Sequence, residues 1–350
     1  MTELTIKIDG SPSIIIANLG GDFWVGTKSV FNKNPKINRT EADIEYNHGH
    51  APGLVEKLQY ALKYCRDLGI DGVVQGDFLY TRPDLRRAAI QGNRMIVFTP
   101  NTITYAVPEG TPLGERVAAS QMGIVFHTYY TGVDLQNMTA HFGYSCKGLR
   151  PSTQVFYMDA TLPNLTSQFN FTGEEQTTIN YALKLSKEIA ANRDAVAFLT
   201  MVAASPDWSL VVSTYNNSII RSGKSITSAQ EAVAGLREWI AGYWDKKVAS
   251  VKTSPAKQRH SDSAVRMMKT LSEYQAGAML AYRGYIALAQ AKMVLLKHLN
   301  SLNNLGTFLQ KNGELIPTNP EGFVAIEDSG KVVKFVDRFT FSAANFQNKG

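Results

Sequence analysis

Apolar and polar residues alternate along Leu4-Thr5-Ile6-Lys7-Ile8, which is the period of a strand with one buried face. Asp9-Gly10-Ser11-Pro12 has turn chemistry, and Ser13-Ile14-Ile15-Ile16-Ala17 reads as a second strand. Phe23 to Thr27 reads as a third. Leu54, Leu58, Leu62 and Cys65 recur at spacings of four, four and three, so a helix is predicted over 51–68, stopped by Gly69. A buried strand is expected over 72–80. Two β-rich runs fall within 94–106, broken at Pro100-Asn101, and a further strand is expected over 122–130.

The texture changes near residue 165. Residues 174–203 have a helical pattern. Ser228 and Glu231 form a capping box, and Val233, Leu236, Ile240, Trp244 and Val248 follow as an apolar stripe. The helical pattern over 262–302 would run roughly 60 Å unbroken, with Gly277 or Gly284 as places for a kink. Strands return at Gly322 to Ile326 and Lys331 to Val336, joined by Asp328-Ser329-Gly330. Such a hairpin is too small to stand alone and needs an existing sheet. The pattern therefore predicts an α+β fold interrupted by a helical insertion. Residues 1–165 give the first part of the core, 166–310 a helical basic module, and 311–350 the completing strands. Repeats and low-complexity tracts are not found.

Composition narrows this picture. Over 350 residues, 44% are hydrophobic and 19% charged, which excludes a largely disordered, collagen-like or coiled-coil chain. The net charge is +6, but residues 221–300 alone carry 13 lysines and arginines against five acids. Two cysteines, Cys65 and Cys146, are too few for a disulfide framework or a CxxC zinc site and suit a reducing compartment. No apolar run approaches the roughly 18 residues of a membrane span, and residues 1–10 have no signal-peptide core. A cytoplasmic chain with no membrane partner, favoured as a monomer, is expected.

Three short segments carry chemistry. Lys7-Ile8-Asp9-Gly10 puts a lysine at a strand end before a glycine turn. Gln75-Gly76-Asp77-Phe78 puts an acid in a buried strand, where an unpaired carboxylate is costly. Glu321-Gly322-Phe323-Val324 puts another acid at a strand start, with Lys331 and Lys334 across the hairpin. A lysine nucleophile must shed its proton near neutral pH, which neighbouring cations and partial burial favour. Carboxylates can hold a divalent metal against phosphate oxygens, and further lysines neutralise a transferring phosphoryl group.

These segments resemble the covalent nucleotidyltransferase superfamily of ATP-dependent DNA and RNA ligases and mRNA capping enzymes, whose hallmark Lys-x-Asp-Gly is matched by Lys7 to Gly10. The runs Lys7–Pro12, Gly26–Pro35, Gln75–Leu79, Pro100–Ala106, Gln121–His127 and Pro320–Ala325 are similar to those of a group of proteins from tailed phages related to T4. The likeness covers residues 4 to about 130 and 315–346. It implies a ligase-type core of antiparallel-rich β-sheets with flanking helices, in an infected bacterial host cell. It also implies that Lys7 forms the lysyl–nucleotide bond and that Ile8, Asp9 and Gly10 complete that motif. Lys28 would contact phosphate or the strand, Asp77 ribose or metal, and Phe98 would stack on the base. Glu321 would be the second metal-linked acid. Val324 would pack against the base, and Lys334, with Lys331, would touch the α-phosphate.

The sequence departs from the superfamily in several places. Its last-motif lysines are usually two apart, whereas Lys331 and Lys334 are three apart, and Lys334 is the one expected in register. The arginine that often follows the lysine motif is replaced by Ser11-Pro12-Ser13. Members of the superfamily generally carry a segment upstream of the lysine that helps form the adenine pocket, whereas Lys7 lies almost at the start of the sequence, so either a truncated or short-start version or a partly open pocket is expected. With Phe341 close to the last residue, the RNA-ligase side is expected over enzymes carrying an OB-type domain.

The expected activity is ATP-dependent polynucleotide ligation, RNA or DNA, through a lysyl-AMP adduct at Lys7 with Mg²⁺ or Mn²⁺. Its partner would be nucleic acid with 5′-phosphate and 3′-hydroxyl ends, held by the basic module. Two alternatives stand beside it: transfer of the nucleotide to a protein or another nucleic-acid end, or a degenerate ligase fold that only binds. His48 and His50 have a spacing that metal sites use, but Asn47 and Gly49 mark a loop; His127 reads as a core histidine, and the aromatics of the helical module read as core.

Overall fold

The computed structural model describes residues 3–8, 10–90, 92–160, 170–301, 306–311, 314–327, 329 and 331–336. They fall into two compact units, one of residues 1–169 and 299–336 and one centred on 170–298. The fold is mixed α and β, and its sheets are mostly antiparallel.

In the first unit the strands run Glu3–Lys7 (β1), Ser13–Leu19 (β2), Asp22–Gly26 (β3), Gly72–Thr81 (β4), Arg86–Ile90 (β5), Asn93–Phe98 (β6), Thr104–Pro108 (β7), Met122–Thr131 (β8), Thr139–Phe142 (β9) and Val155–Asp159 (β10), followed late in the chain by Thr307–Lys311 (β11), Glu314–Pro317 (β12), Gly322–Ile326 (β13) and Val332–Val336 (β14). The helices of this unit are Glu41–His48 (α1), Pro52–Tyr64 (α2) and Pro112–Ala119 (α3).

Among the described residues these strands form three sheets. The largest has the order β10-β8-β4-β2-β3, with β9 on β8; only the β10–β8 pair is parallel. A second has the order β12-β11-β7-β6-β5 and a third β1-β13-β14, both antiparallel. Contrary to the expectation from its size, the late hairpin β13–β14 does not add to an existing sheet: among the described residues its one further partner is the single strand β1, with Lys7 opposite Gly322, and the three strands make a sheet of their own. The strands β11 and β12 were not announced by the pattern; they are short and extend a different sheet through β7.

Period-2 alternation sorts the largest sheet into two faces. Ile14, Ile16, Val74, Phe78, Ile124 and Phe126 face α2, whose Val55, Leu58 and Leu62 are spaced to cover them. Each such fully buried side chain contributes about 1.5–3 kcal/mol. Ile15, Ala17, Trp24 and Val73 lie on the opposite face. Gln75, Asp77, Val125 and His127 share that second face by parity.

The second unit is helical: Gly173–Ala191 (α4), Arg193–Ala204 (α5), Pro206–Arg221 (α6), Ala229–Ser250 (α7), Ser254–Glu273 (α8) and Gln275–Ser301 (α9). The helix expected over 174–203 is broken at Asn192, whose side chain caps α5 through the amides of Asp194 and Ala195, 3.0 and 3.1 Å away. The long run expected over 262–302 is broken at Tyr274, and Gly277 and Gly284 lie inside α9. The core of this unit gathers Trp208, Val211, Tyr215, Leu236, Ile240, Trp244, Leu271 and Tyr282, so Trp244 and Tyr282 are buried as the sequence reading expects. Among the described residues no single helix is long and apolar enough to cross a membrane.

Candidate active site

Lys7 is the last residue of β1, and the turn after it is clamped to the middle of β4. The Ser11 amide donates to the Phe78 carbonyl at 2.9 Å, and the Phe78 amide donates to the Pro12 carbonyl at 2.9 Å. Gly10 makes this approach possible, because a Cβ there would come within 2.7 Å of the Asp77 Cβ. Ile8 is buried and Asp9 lies outside the described residues. The lysine of one motif and the carboxylate of another are therefore joined through a glycine.

A cavity of about 210 Å³ opens between the β1-β13-β14 sheet and the largest sheet. Register and parity explain which residues line it. On one side, Val324 is the cross-strand partner of both Thr5 and Lys334, and Lys7 is two residues from Thr5, so Lys7, Val324 and Lys334 share a face. On the other, Ser13 lies opposite Asp77 and Asp77 opposite Val125. Lys28 completes the wall from the short 3₁₀ turn after β3, where the Thr27 hydroxyl accepts from the Ser29 amide at 3.3 Å.

Its electrostatics are those of a site for an anion. Lys7, Lys28 and Lys334 line the cavity, with Asp77 as its acid. The Lys7 ammonium donates to the Glu321 carboxylate in a half-buried ion pair. Burial pushes the Asp77 carboxyl up. Hydrogen bonds from His127 and Ser13 and the charges of His127 and Lys7 outweigh that, so its pKa lies below the ordinary carboxylate value. The ionised carboxylate only accepts, so Nε2 of His127 donates to Asp77 Oδ1, 3.3 Å away. His127 Nδ1 is 2.7 Å from the Thr128 hydroxyl. Behind Ser13 the chain continues: Gln75 Nε2 donates to Ser13 Oγ at 2.5 Å, and the Tyr130 hydroxyl donates to Gln75 Oε1 at 2.5 Å. Tyr130, Gln75, Ser13, Asp77, His127 and Thr128 thus form one continuous polar network along the floor.

Of the residues singled out in the sequence, Lys7, Ile8, Lys28, Asp77, Val324 and Lys334 line this cavity, and Glu321 reaches it through Lys7. Phe98 does not. It ends β6 in another sheet, packs on Tyr80 and Tyr105 at 4.7 and 5.7 Å, and lines a second, apolar cavity of about 250 Å³. Lys331 does not either: an odd separation from Lys334 puts the two lysines on opposite strand faces, and Lys331 is exposed. Asp77 and Glu321 are held by different partners, and among the described residues no three His, Cys, Asp or Glu side chains converge.

His127, Phe142, Ser13 and Gln75 line the cavity without having been chosen as site residues. His127 is no ordinary core histidine, since it pairs with Asp77 and stacks on Phe142 with ring centroids 6.3 Å apart. Parity along β8 places His127 with Val125 and against Phe126; the sequence carries that signal without saying which face is hollow. His48 is buried, and burial, with the charges of Lys36 and His50, lowers its pKa.

No curated protein and no solved structure matches the chain. A family of unknown function, DUF6267, matches residues 1–349, and the chain belongs to that family.

Proposed function

We propose that the chain is an ATP-dependent polynucleotide ligase that works through a covalent lysyl-AMP at Lys7. The observation that carries this reading is the convergence on one cavity of Lys7, Lys28, Lys334 and Asp77, drawn from four segments far apart in sequence. The Lys-x-Asp-Gly resemblance gives the cluster its chemical direction.

On this reading the triphosphate enters with its divalent cation as part of the substrate. Mg²⁺ bound through phosphates and one or two carboxylates needs no three-ligand cage, so the separate carboxylates Asp77 and Glu321 fit that demand. Lys7 Nζ attacks the α-phosphorus, the N–P bond forms, and the bond to pyrophosphate breaks. Glu321, bonded to Nζ, orients the amine for attack, and the proton that Lys7 sheds leaves to water. Lys334 and Lys28 offset the charge that builds on the transferring group. Val324 and Phe142 offer apolar surface to the base. In the second half, AMP passes to a 5′-phosphate, and a 3′-hydroxyl displaces it to seal the strand.

Intact-protein mass after incubation with ATP and Mg²⁺ tests the first half. The parent is expected to gain one AMP and Lys7→Ala none. Lys334→Ala is expected to slow the gain by about 100-fold, in the range lost with one charge-stabilising group, while Lys331→Ala stays within about twofold. No adduct on the parent, with Mn²⁺ and with GTP also tried, would overturn the reading. An adduct that never passes to a nicked or single-stranded end would leave the nucleotidyltransferase and replace the acceptor.

A further inference from the structure

The helical unit has a cleft of its own. The end of α7 and the first half of α8 open a space of about 420 Å³ lined by Tyr243, Trp244, Lys247, Arg259, His260 and Ser263. One acid, Asp207 in the first turn of α6, shares the rim. Among the described residues neither Lys247 nor Arg259 pairs with a carboxylate. Lys247 Nζ lies 5.6 Å from the centre of the Tyr243 ring. Arg266 adds a further cation nearby, its guanidinium donating to Ser263 Oγ at 2.9 Å.

The aromatic part of the cleft points to more than a counter-ion. Trp244 is 7% exposed, and its Nε1 is buried with no hydrogen-bond partner among the described residues. A buried donor in that condition is unfavourable unless something accepts from it. The His260 ring stands 5.8 Å from Trp244, and Tyr243 meets Trp244 edge-on at 5.3 Å. Permanent cations beside partly exposed aromatic rings, as Tyr243 and His260 are, are the combination that a single nucleic-acid strand uses, phosphate on the cations and base on the rings.

We propose that this cleft binds one phosphate of a single nucleic-acid strand, with Lys247 and Arg259 on the phosphate and Tyr243 and His260 against the adjoining base. The assignment rests on the reading of the chain as acting on nucleic-acid ends, and it gives that reading a strand-holding site within the helical unit. Arg259 offers the planar fork that suits a phosphate, so Arg259→Lys is not a neutral exchange.

The test uses the full chain and short fluorescein-labelled, 5′-phosphorylated single strands of RNA and DNA, read by fluorescence anisotropy across a salt series. Lys247→Ala/Arg259→Ala is expected to bind about tenfold more weakly. Its log–log salt slope is expected to fall by about 0.7 for the lost phosphate contact. Lys269→Ala removes a cation of α8 that faces Glu273 at 3.9 Å, outside the cleft, and is expected to bind like the parent. If the double variant does not fold, Arg259→Gln carries the same test. Unchanged affinity and slope in a folded cleft variant would overturn the proposal, as would equal losses in Lys269→Ala. Inorganic phosphate displacing the strand at the strand's own concentration would also overturn it, by showing a site for the free anion. AMP-adduct formation is read by mass on the same samples. A parent that forms no adduct while the cleft variants lose strand binding keeps the cleft and removes the ligase reading. An adduct with strand binding untouched by the cleft variants does the reverse.

Discussion

Asp77 stays ionised in a half-buried position because each of its neighbours works against the cost of burial. His127 and Ser13 bond to it, and Lys7 adds its charge. Asp77→Asn keeps the shape and removes the charge, leaving His127 facing an amide. At neutral pH this is expected to cost about 1–3 kcal/mol of stability, read as a lower urea midpoint. Folding lowers the Asp77 pKa from its ordinary 3.8, so the unfolded chain binds the proton more tightly. The stabilisation is then complete above that ordinary value and is lost as pH falls through the lower folded one. The urea midpoints of parent and Asp77→Asn are expected to converge below about pH 4; a constant gap would show that the carboxylate charge is not what stabilises the site. At this scale the sequence was partly legible. An acid in the apolar run of β4 stood out because burial without partners is costly. Its partners did not stand out. Ser13, Gln75 and His127 are unremarkable until three strands align, and that alignment depends on register.

Among the elements, the sequence spoke most clearly where a period was unbroken and a stop residue closed it, as in α2 with Gly69, β4, and the β13–β14 hairpin. It spoke least where one helix gives way to another. From Ile179 through Ala182 to Ile189 the buried positions of α4 keep helical spacing; the interval from Ile189 to Ala195 does not, and Asn192 falls within it. Gly277 and Gly284 misled for a physical reason. A glycine in a helical pattern can mark a kink or a close crossing, and the sequence does not distinguish them. Here both are crossings. A Cβ at Gly277 would come within 2.2 Å of the Asp194 carbonyl oxygen, a backbone atom that cannot step aside. At Gly284 it would meet only the end of the Ile189 side chain, at 3.0 Å. Two like substitutions should then differ in outcome. Gly277→Ala is expected to destabilise by about 1–3 kcal/mol through overpacking. Gly284→Ala is expected to lie between neutral and about 1 kcal/mol more stable, because the gain in helix propensity is offset only by a movable side chain. Urea unfolding of the two variants checks this, and equal effects would show that backbone approach is not the reason for Gly277.

For the molecule as a whole, the two units differ in how their contacts are spread along the chain. Among the described residues the helical unit is contiguous over 170–298, and its core joins successive helices. The sheet unit is closed by pairs between the two ends of the sequence, such as Lys7 with Gly322 and Leu4 with Ala325. That a late hairpin needs a further strand follows from its size; that this strand is β1 does not follow from any local pattern, because the strands lie some three hundred residues apart. Contacts of that range close large loops and form slowly, whereas local helical contacts form without that cost. Removal of residues 302–350 should therefore act unequally. It takes away β11–β14, including β13, the strand on which β1 pairs, together with Glu321, Val324 and Lys334. The shortened chain is expected to lose the unfolding transition of the sheet unit and all AMP-adduct formation, while a fragment of residues 170–298 is expected to keep a helical circular-dichroism spectrum and melt in one sigmoidal step. A fragment that melts without a sigmoid would mean that the helices draw their stability from the sheets. A shortened chain that still forms the adduct would mean that β1 holds Lys7 without its late partner, and the cavity would then have to be assembled from the first part of the chain alone.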